Sequence, residues 1–111
     1  MIYVIEKLNN SRESRDKEEN NDRVYYVYEM NTEMGLMLNI YDKEVIESNL
    51  IKGLRYNKEY KEKDIKEIII HAVSLTFYGD KAVSLGISLG YIHPEAIKEL
   101  KGVKVAMFMR I

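Results

Sequence analysis

Seven consecutive residues, Val24-Tyr25-Tyr26-Val27-Tyr28-Glu29-Met30, limit the fold more than any other segment. β-Branched and aromatic side chains fit a pleated backbone and crowd a helix, so this run reads as a strand. It is apolar on both faces, which suits a strand covered from both sides or at the sheet centre. Asn31-Thr32-Glu33-Met34-Gly35 supplies a turn, with Gly35 free to take a positive φ, and Leu36-Met37-Leu38-Asn39-Ile40-Tyr41 returns as the partner strand. The spacing predicts an antiparallel hairpin over residues 24–41.

Upstream, residues 1–7 read as a short strand built on Ile2, Tyr3, Val4 and Ile5. Residues 9–23 contain no apolar side chain and cannot offset the entropy of ordering, so a mobile charged linker is expected, or else an exposed helix laced with Glu–Lys/Arg pairs. The folded domain is then residues 24–111. Asp42 is expected to cap one helical turn through Ser48, and Leu54 and Tyr56 mark a strand near residues 50–57. Asp64 with Glu67 resembles a capping box opening a main helix over residues 64–78, whose core stripe is Ile65, Ile68, Ile69, Ala72, Val73 and Thr76. Gly79 ends that helix. A second helix is predicted over residues 80–89, where Gly86 implies a close neighbour, and Pro94 opens a third over residues 94–100. Residues 103–111 close the chain as a strand, with Val105, Met107 and Met109 on one face and Ala106 and Phe108 on the other. The predicted class is α+β: a small, mostly antiparallel or mixed sheet with two to three helices packed on one face.

Composition narrows the functions. The 111 residues (13.1 kDa) include no cysteine, which excludes a disulfide scaffold, a thiolate zinc site and a cysteine nucleophile. No apolar run approaches the ~20 residues that cross a bilayer, and no basic-then-apolar leader pattern opens the sequence, so a cytoplasmic protein without a membrane partner is expected. The net charge of -1 is unevenly spread: residues 1–50 carry 6 basic and 11 acidic groups, residues 51–111 carry 11 and 7. Either one fold has an acidic and a basic face, or its surfaces differ by chance. No phosphate-cradling glycine loop or nucleophile-elbow motif is present.

Three constellations remain. Lys52, Arg55, Lys58, Lys61 and Lys63 alternate with Tyr56 and Tyr60; cations that neutralise phosphates beside rings that stack on bases would suit single-stranded RNA or a ribonucleoprotein. The competing reading is a solvated loop with half-buried tyrosines. Glu67 and His71, four apart on the predicted helix and joined by Asp80, could orient an imidazole as a general base for a small-molecule enzyme, whereas surface or capping roles are the ordinary fate of His71 and His93. Neither set suggests a catalytic residue, a metal or a cofactor strongly enough to assign one. Tyr25, Tyr26, Tyr28 and Tyr41, with Met30, Met34 and Met37, are either core or an interface that a second copy could cover as a homodimer.

Tyr78-Gly79-Asp80-Lys81-Ala82-Val83, running on to Leu89-Gly90, then Ala96-Ile97 and Gly102-Val103-Lys104-Val105-Ala106 with Arg110, resembles the archaeal family known as domain of unknown function 424. Leu36 to Ile46, with Asp42 and Glu44, is similar to the family's early strand and acidic turn. Tyr41 stands where the family commonly has Cys, Glu47-Ser48 replaces a Gly-Lys, and Asn57 to Tyr60 stands in place of a Phe-Tyr-Gly-Gly segment. The resemblance implies a housekeeping role linked to RNA or translation. The expected function is therefore a non-enzymatic binding domain acting on RNA or a ribonucleoprotein, with a homo-oligomeric interaction module as the alternative.

Overall fold

The computed structural model describes residues 21–110, and the strand expected over 1–7 and most of its linker lie outside them. The predicted hairpin is present as β1 (Val24–Thr32) and β2 (Gly35–Tyr41), antiparallel with Tyr26 opposite Tyr41 and Met30 opposite Met37. Gly35 has φ +130°, and a Cβ there would stand 2.7 Å from Val73 Cγ1, so the turn needs glycine for conformation and for space. There follow α1 (Lys43–Ser48), β3 (Lys58–Lys61), α2 (Glu62–Ile68), β4 (Ala72–Tyr78), α3 (Asp80–Ser88), β5 (Lys98–Leu100) and β6 (Val103–Met109). Among the described residues six strands form one mixed sheet in the order β3-β1-β2-β4-β6-β5, in which β2 and β4 are the parallel pair. That pair is joined by a long crossover through α1, β3 and α2, the connection parallel strands require.

The α+β class and mixed sheet match the sequence reading; several elements do not. The helix expected over residues 64–78 stops at Ile68, passes through a 3-10 turn (Ile69–His71) and becomes β4. Val73-Ser74-Leu75-Thr76-Phe77-Tyr78 is β-rich and apolar on both faces, and a short run of that kind fits a buried helix and a central strand equally until its neighbours are known. No side chain caps α2, so Asp64 and Glu67 form no capping box. The strand expected near 50–57 is displaced to β3, because Ile51 and Leu54 pack down onto the sheet instead of pairing along its edge. The expected third helix is a single 3-10 turn (Pro94–Ala96) followed by β5. Lys101 (φ +51°) and Gly102 (φ +80°) then make the two-residue turn with both central φ positive that joins β5 to β6. The last strand is antiparallel to both neighbours.

The helices do not share one face. α2 and α3 pack over Tyr25, Val27, Leu38, Ile40, Leu75 and Phe77, the main core. Full burial of each such side chain contributes about 1.5–3 kcal/mol. α1 and residues 49–57 lie on the opposite face against Tyr41, Tyr26, Tyr78 and Val105. The close neighbours implied by Gly86 are Phe77 and Ile92, whose side chains would lie 3.0 and 2.9 Å from a Cβ there.

Candidate functional site

The basic and aromatic residues after Ile51 do not converge. Lys52 and Arg55 are exposed on the irregular segment before β3, and the ring of Tyr56 stacks on Tyr26 with centroids 4.4 Å apart. Tyr60 pairs across the ladder with Tyr25 and packs against the main core, on the other side of the sheet from Tyr26, and its hydroxyl donates to Glu29. That hydrogen bond, with burial adding to it, pushes the Tyr60 phenol up to about 12. Lys58 shares the Tyr60 side of β3, opposite Val27, whereas Lys61 alternates to the other side and lies 4.0 Å from Asp22. Lys63 is exposed on α2. One sheet thus separates the two rings, and the cations are spread around its edge. Lys52, Arg55 and Tyr56 share the exposed segment before β3.

The histidine constellation is divided more widely. His71 precedes β4 and Asp80 follows it, so the length of a seven-residue strand, more than about 20 Å at ~3.3 Å per residue, lies between them. His93 accepts the Glu95 N–H through Nδ1 at 3.1 Å and caps the 3-10 turn, as its position before Pro94 suggested. Among the described residues no three His, Asp or Glu side chains are placed to hold a metal ion.

The segments that carry the family resemblance meet at the C-terminal ends of β2 and β4. Asp42, Glu44, Gly79, Asp80, Gly102 and Lys104 border a cleft of about 210 Å³ there. Its buried carboxylate is already engaged: Asp42 Oδ2 accepts the Lys81 N–H at 3.0 Å and Oδ1 the Ala82 N–H at 2.7 Å, so Asp42 caps α3 and not the helix that follows it. Burial raises the Asp42 carboxyl above the usual range, opposed by those two N–H groups. Lys81 pairs with Glu44 at 2.9 Å and Lys104 with Asp80 at 3.6 Å. The cleft's charges satisfy one another, and it acts as a clasp between strand ends.

Among the described residues an uncovered apolar surface lies on the sheet face opposite the main core. The ladders align three rows across β1, β2, β4 and β6: Tyr26-Tyr41-Tyr78-Val105, then Tyr28-Asn39-Thr76-Met107, then Met30-Met37-Ser74-Met109. α1 and its following loop cover the first row and reach Tyr28 at the β1 end of the second, while a six-residue helix is too short to reach the third. Met107 and Met109 are each 64% exposed and Met30 37%, and Met34 at the hairpin tip reaches 84%. Ser74 and Thr76 are sunk between these taller side chains. The result is a groove of about 370 Å³ bordered by Met34, Met37, Val73, Ser74 and Met109, with Thr32 and Arg110 completing its lining. None of the eight positions in the two open rows is charged.

Sequence reasoning named Met30, Met34 and Met37 as a possible interface but missed Met107, Met109, Asn39 and Thr76. Reading 72–78 as helix removed the strand that brings β2 and β6 together; the alternation of residues 103–109 was the one available signal for their outward methionines.

No family model matches this chain, and no curated protein matches it. Among solved structures it is similar to an uncharacterized conserved protein from Methanopyrus kandleri, at 15% sequence identity and a TM-score of 0.50, over 79% of this chain and 94% of that one. The likeness is one of fold. Among the described residues no helix is long and apolar enough to cross a membrane.

Proposed function

We propose that this domain is a non-enzymatic binding module that docks a polypeptide on the open half of its sheet. The observation that carries the reading is the pair of uncharged rows holding Met30, Met37, Met107 and Met109. Monomers rarely leave apolar patches beyond about 300–600 Å² uncovered, and flexible, polarizable methionine suits a surface that packs against another chain. The RNA reading is the weaker one. The aromatic row of this face is covered by α1, the open rows hold no cation, Arg110 beside them is engaged by the Ala72 carbonyl oxygen and the Phe108 ring, and Tyr56 with Lys52 and Arg55 is the remaining footing for a stacked base. We also take the chain to be a divergent archaeal member of the family it resembles, on the convergence of the resembling segments around Asp42 and Gly79.

The test is selection of binders from a random peptide library, counter-screened on a variant carrying Met107→Asp and Met109→Asp, beside titration with oligouridylate at low and high salt. Peptides that bind the native protein and lose at least tenfold on the variant support the reading. Binders indifferent to the variant, or salt-dependent RNA binding abolished by Tyr56→Ala, would overturn it.

A further inference from the structure

We infer that the occupant of this face is a second copy of the same chain, seated face to face about a two-fold axis running along the strands over the β2–β4 seam. This rests on the polypeptide-docking reading above and names its partner.

Three observations support a second copy. The open rows carry no charge of either sign, and the one charged side chain lining their groove, Arg110, donates to the Ala72 carbonyl oxygen at 3.3 Å and lies over the Phe108 ring. The surface that covers them must therefore itself be largely apolar, and these rows are themselves such a surface. The size suits a weak dimer. Four strands at ~4.8 Å span roughly 20 Å, and the two open rows with the hairpin tip extend roughly 20 Å along them. The face thus offers on the order of 400 Å² in projection and more with its protruding methionines, toward the low end of interface sizes, where a standard complex has ~800 Å² per partner. The third is the position of Met34. A hairpin tip ordinarily carries small polar residues, yet here a methionine stands 84% exposed at the same end of the sheet as the groove floored by Ser74 and walled by Met37 and Met109.

A two-fold axis along the strands exchanges left and right while keeping the ends of the sheet together. It therefore lays the β1–β2 hairpin of each protomer over β4 and β6 of its partner. Met34 of one copy then descends onto Ser74 and Met109 of the other, twice, in an isologous contact. Two twisted sheets packed this way lie about 10 Å apart with their strands within about 30°, which leaves room for interdigitated methionines. The edge strands among the described residues argue against the alternative of edge-to-edge pairing. β3 is Lys58-Glu59-Tyr60-Lys61 and β5 is Lys98-Glu99-Leu100, both short and charged, as protected edges are.

The chain's lack of cysteine makes the arrangement directly testable. Single variants Met34→Cys and Met109→Cys, mixed and mildly oxidised, are expected to give the mixed disulfide between the two variants in several-fold excess over either homodisulfide. Light scattering of the native protein from micromolar to high-micromolar concentration should rise from 13.1 kDa toward twice that mass, and Met34→Asp should weaken association at least tenfold. Met34 is a solvent-facing tip residue, and a thermal melt equal to the native one at a concentration where both are monomeric confirms that the variant folds. A native protein that stays monomeric throughout while library peptides still bind the open face would overturn the second copy and leave the docking reading standing. A dimer untouched by Met34→Asp, or one whose cross-links are homodisulfides only, would overturn the arrangement.

Discussion

The carboxylate of Asp42 occupies the space a side chain on Gly79 would need: a Cβ there would lie 2.4 Å from Oδ2. Gly79 has φ +110°, a backbone state open to glycine, and this lets β4 turn into α3 with the first amides of the helix aimed at Asp42. Asp42→Ala should cost about 1–2 kcal/mol by removing the cap, and Asp42→Asn less, since one acceptor oxygen survives. Gly79→Ala should cost about 1–3 kcal/mol from backbone strain, before the clash is counted. Urea denaturation of the three variants checks the order; an Asp42→Ala protein as stable as the native one would contradict it.

Alkaline pH should unfold this protein through its tyrosines. Tyr25 is 1% exposed, and its hydroxyl donates to Glu62 Oε1 at 2.8 Å; burial first, then that bond, raises its phenol. Tyr60 is raised to about 12 by Glu29. Both folded values exceed the ordinary ~10 of the unfolded chain, so the stability linked to them is intact below pH ~10 and is lost as pH climbs from there toward the folded values. The urea midpoint should fall with pH above ~10, less steeply in Tyr25→Phe and Tyr60→Phe. Identical slopes in the native and Phe proteins would contradict the linkage.

Gly86 is a packing glycine. Alanine there gains ~1 kcal/mol of helix propensity but sets a methyl against the Phe77 ring, which is fully buried and has nowhere to move. Overpacking of this kind costs about 1–3 kcal/mol, so Gly86→Ala should be less stable than the native protein by thermal denaturation. A higher melting temperature would show that α3 stands farther from β4 than described.

Tyr56 stacks on Tyr26 and pins the loop that covers the first row of the open face. Removing one ring of such a pair costs about 0.5–1.5 kcal/mol beyond the lost area. Tyr56→Ala should therefore lower stability in a denaturant titration. An unchanged midpoint would free that ring for a binding role.

The hairpin, the strand at the C-terminus and the helix after Gly79 were legible because each has a local cause: alternation, turn chemistry, a glycine at a left-handed position. The course of residues 69–78 was not. Ile69 and Ile70 continue a helical stripe, and the change to β4 is imposed by the parallel pairing of Leu38 with Leu75 and Ile40 with Phe77, contacts nearly forty residues away. Asp42 likewise reads as the cap of the helix beside it, while its actual partners, Lys81 and Ala82, are brought to it by the crossover. The open face was hidden for the same reason: Met37 and Met109 become neighbours across Ser74 once β4 lies between them. The two-tyrosine patch failed on parity. Tyr60 sits on a strand whose register sends it to the core side, and Tyr56 lies before that strand begins.

The five described methionines all lie on or beside the open face, so their methyl groups report on it directly. The decisive measurement is a methionine-methyl NMR spectrum followed through serial dilution. Resonances of Met30, Met34, Met37, Met107 and Met109 should move together as the protein is diluted, with the tenfold-weakened Met34→Asp variant already at the dilute position. Resonances fixed across the whole range, with no shift on adding any selected peptide, would contradict the claim that this face is where the protein binds.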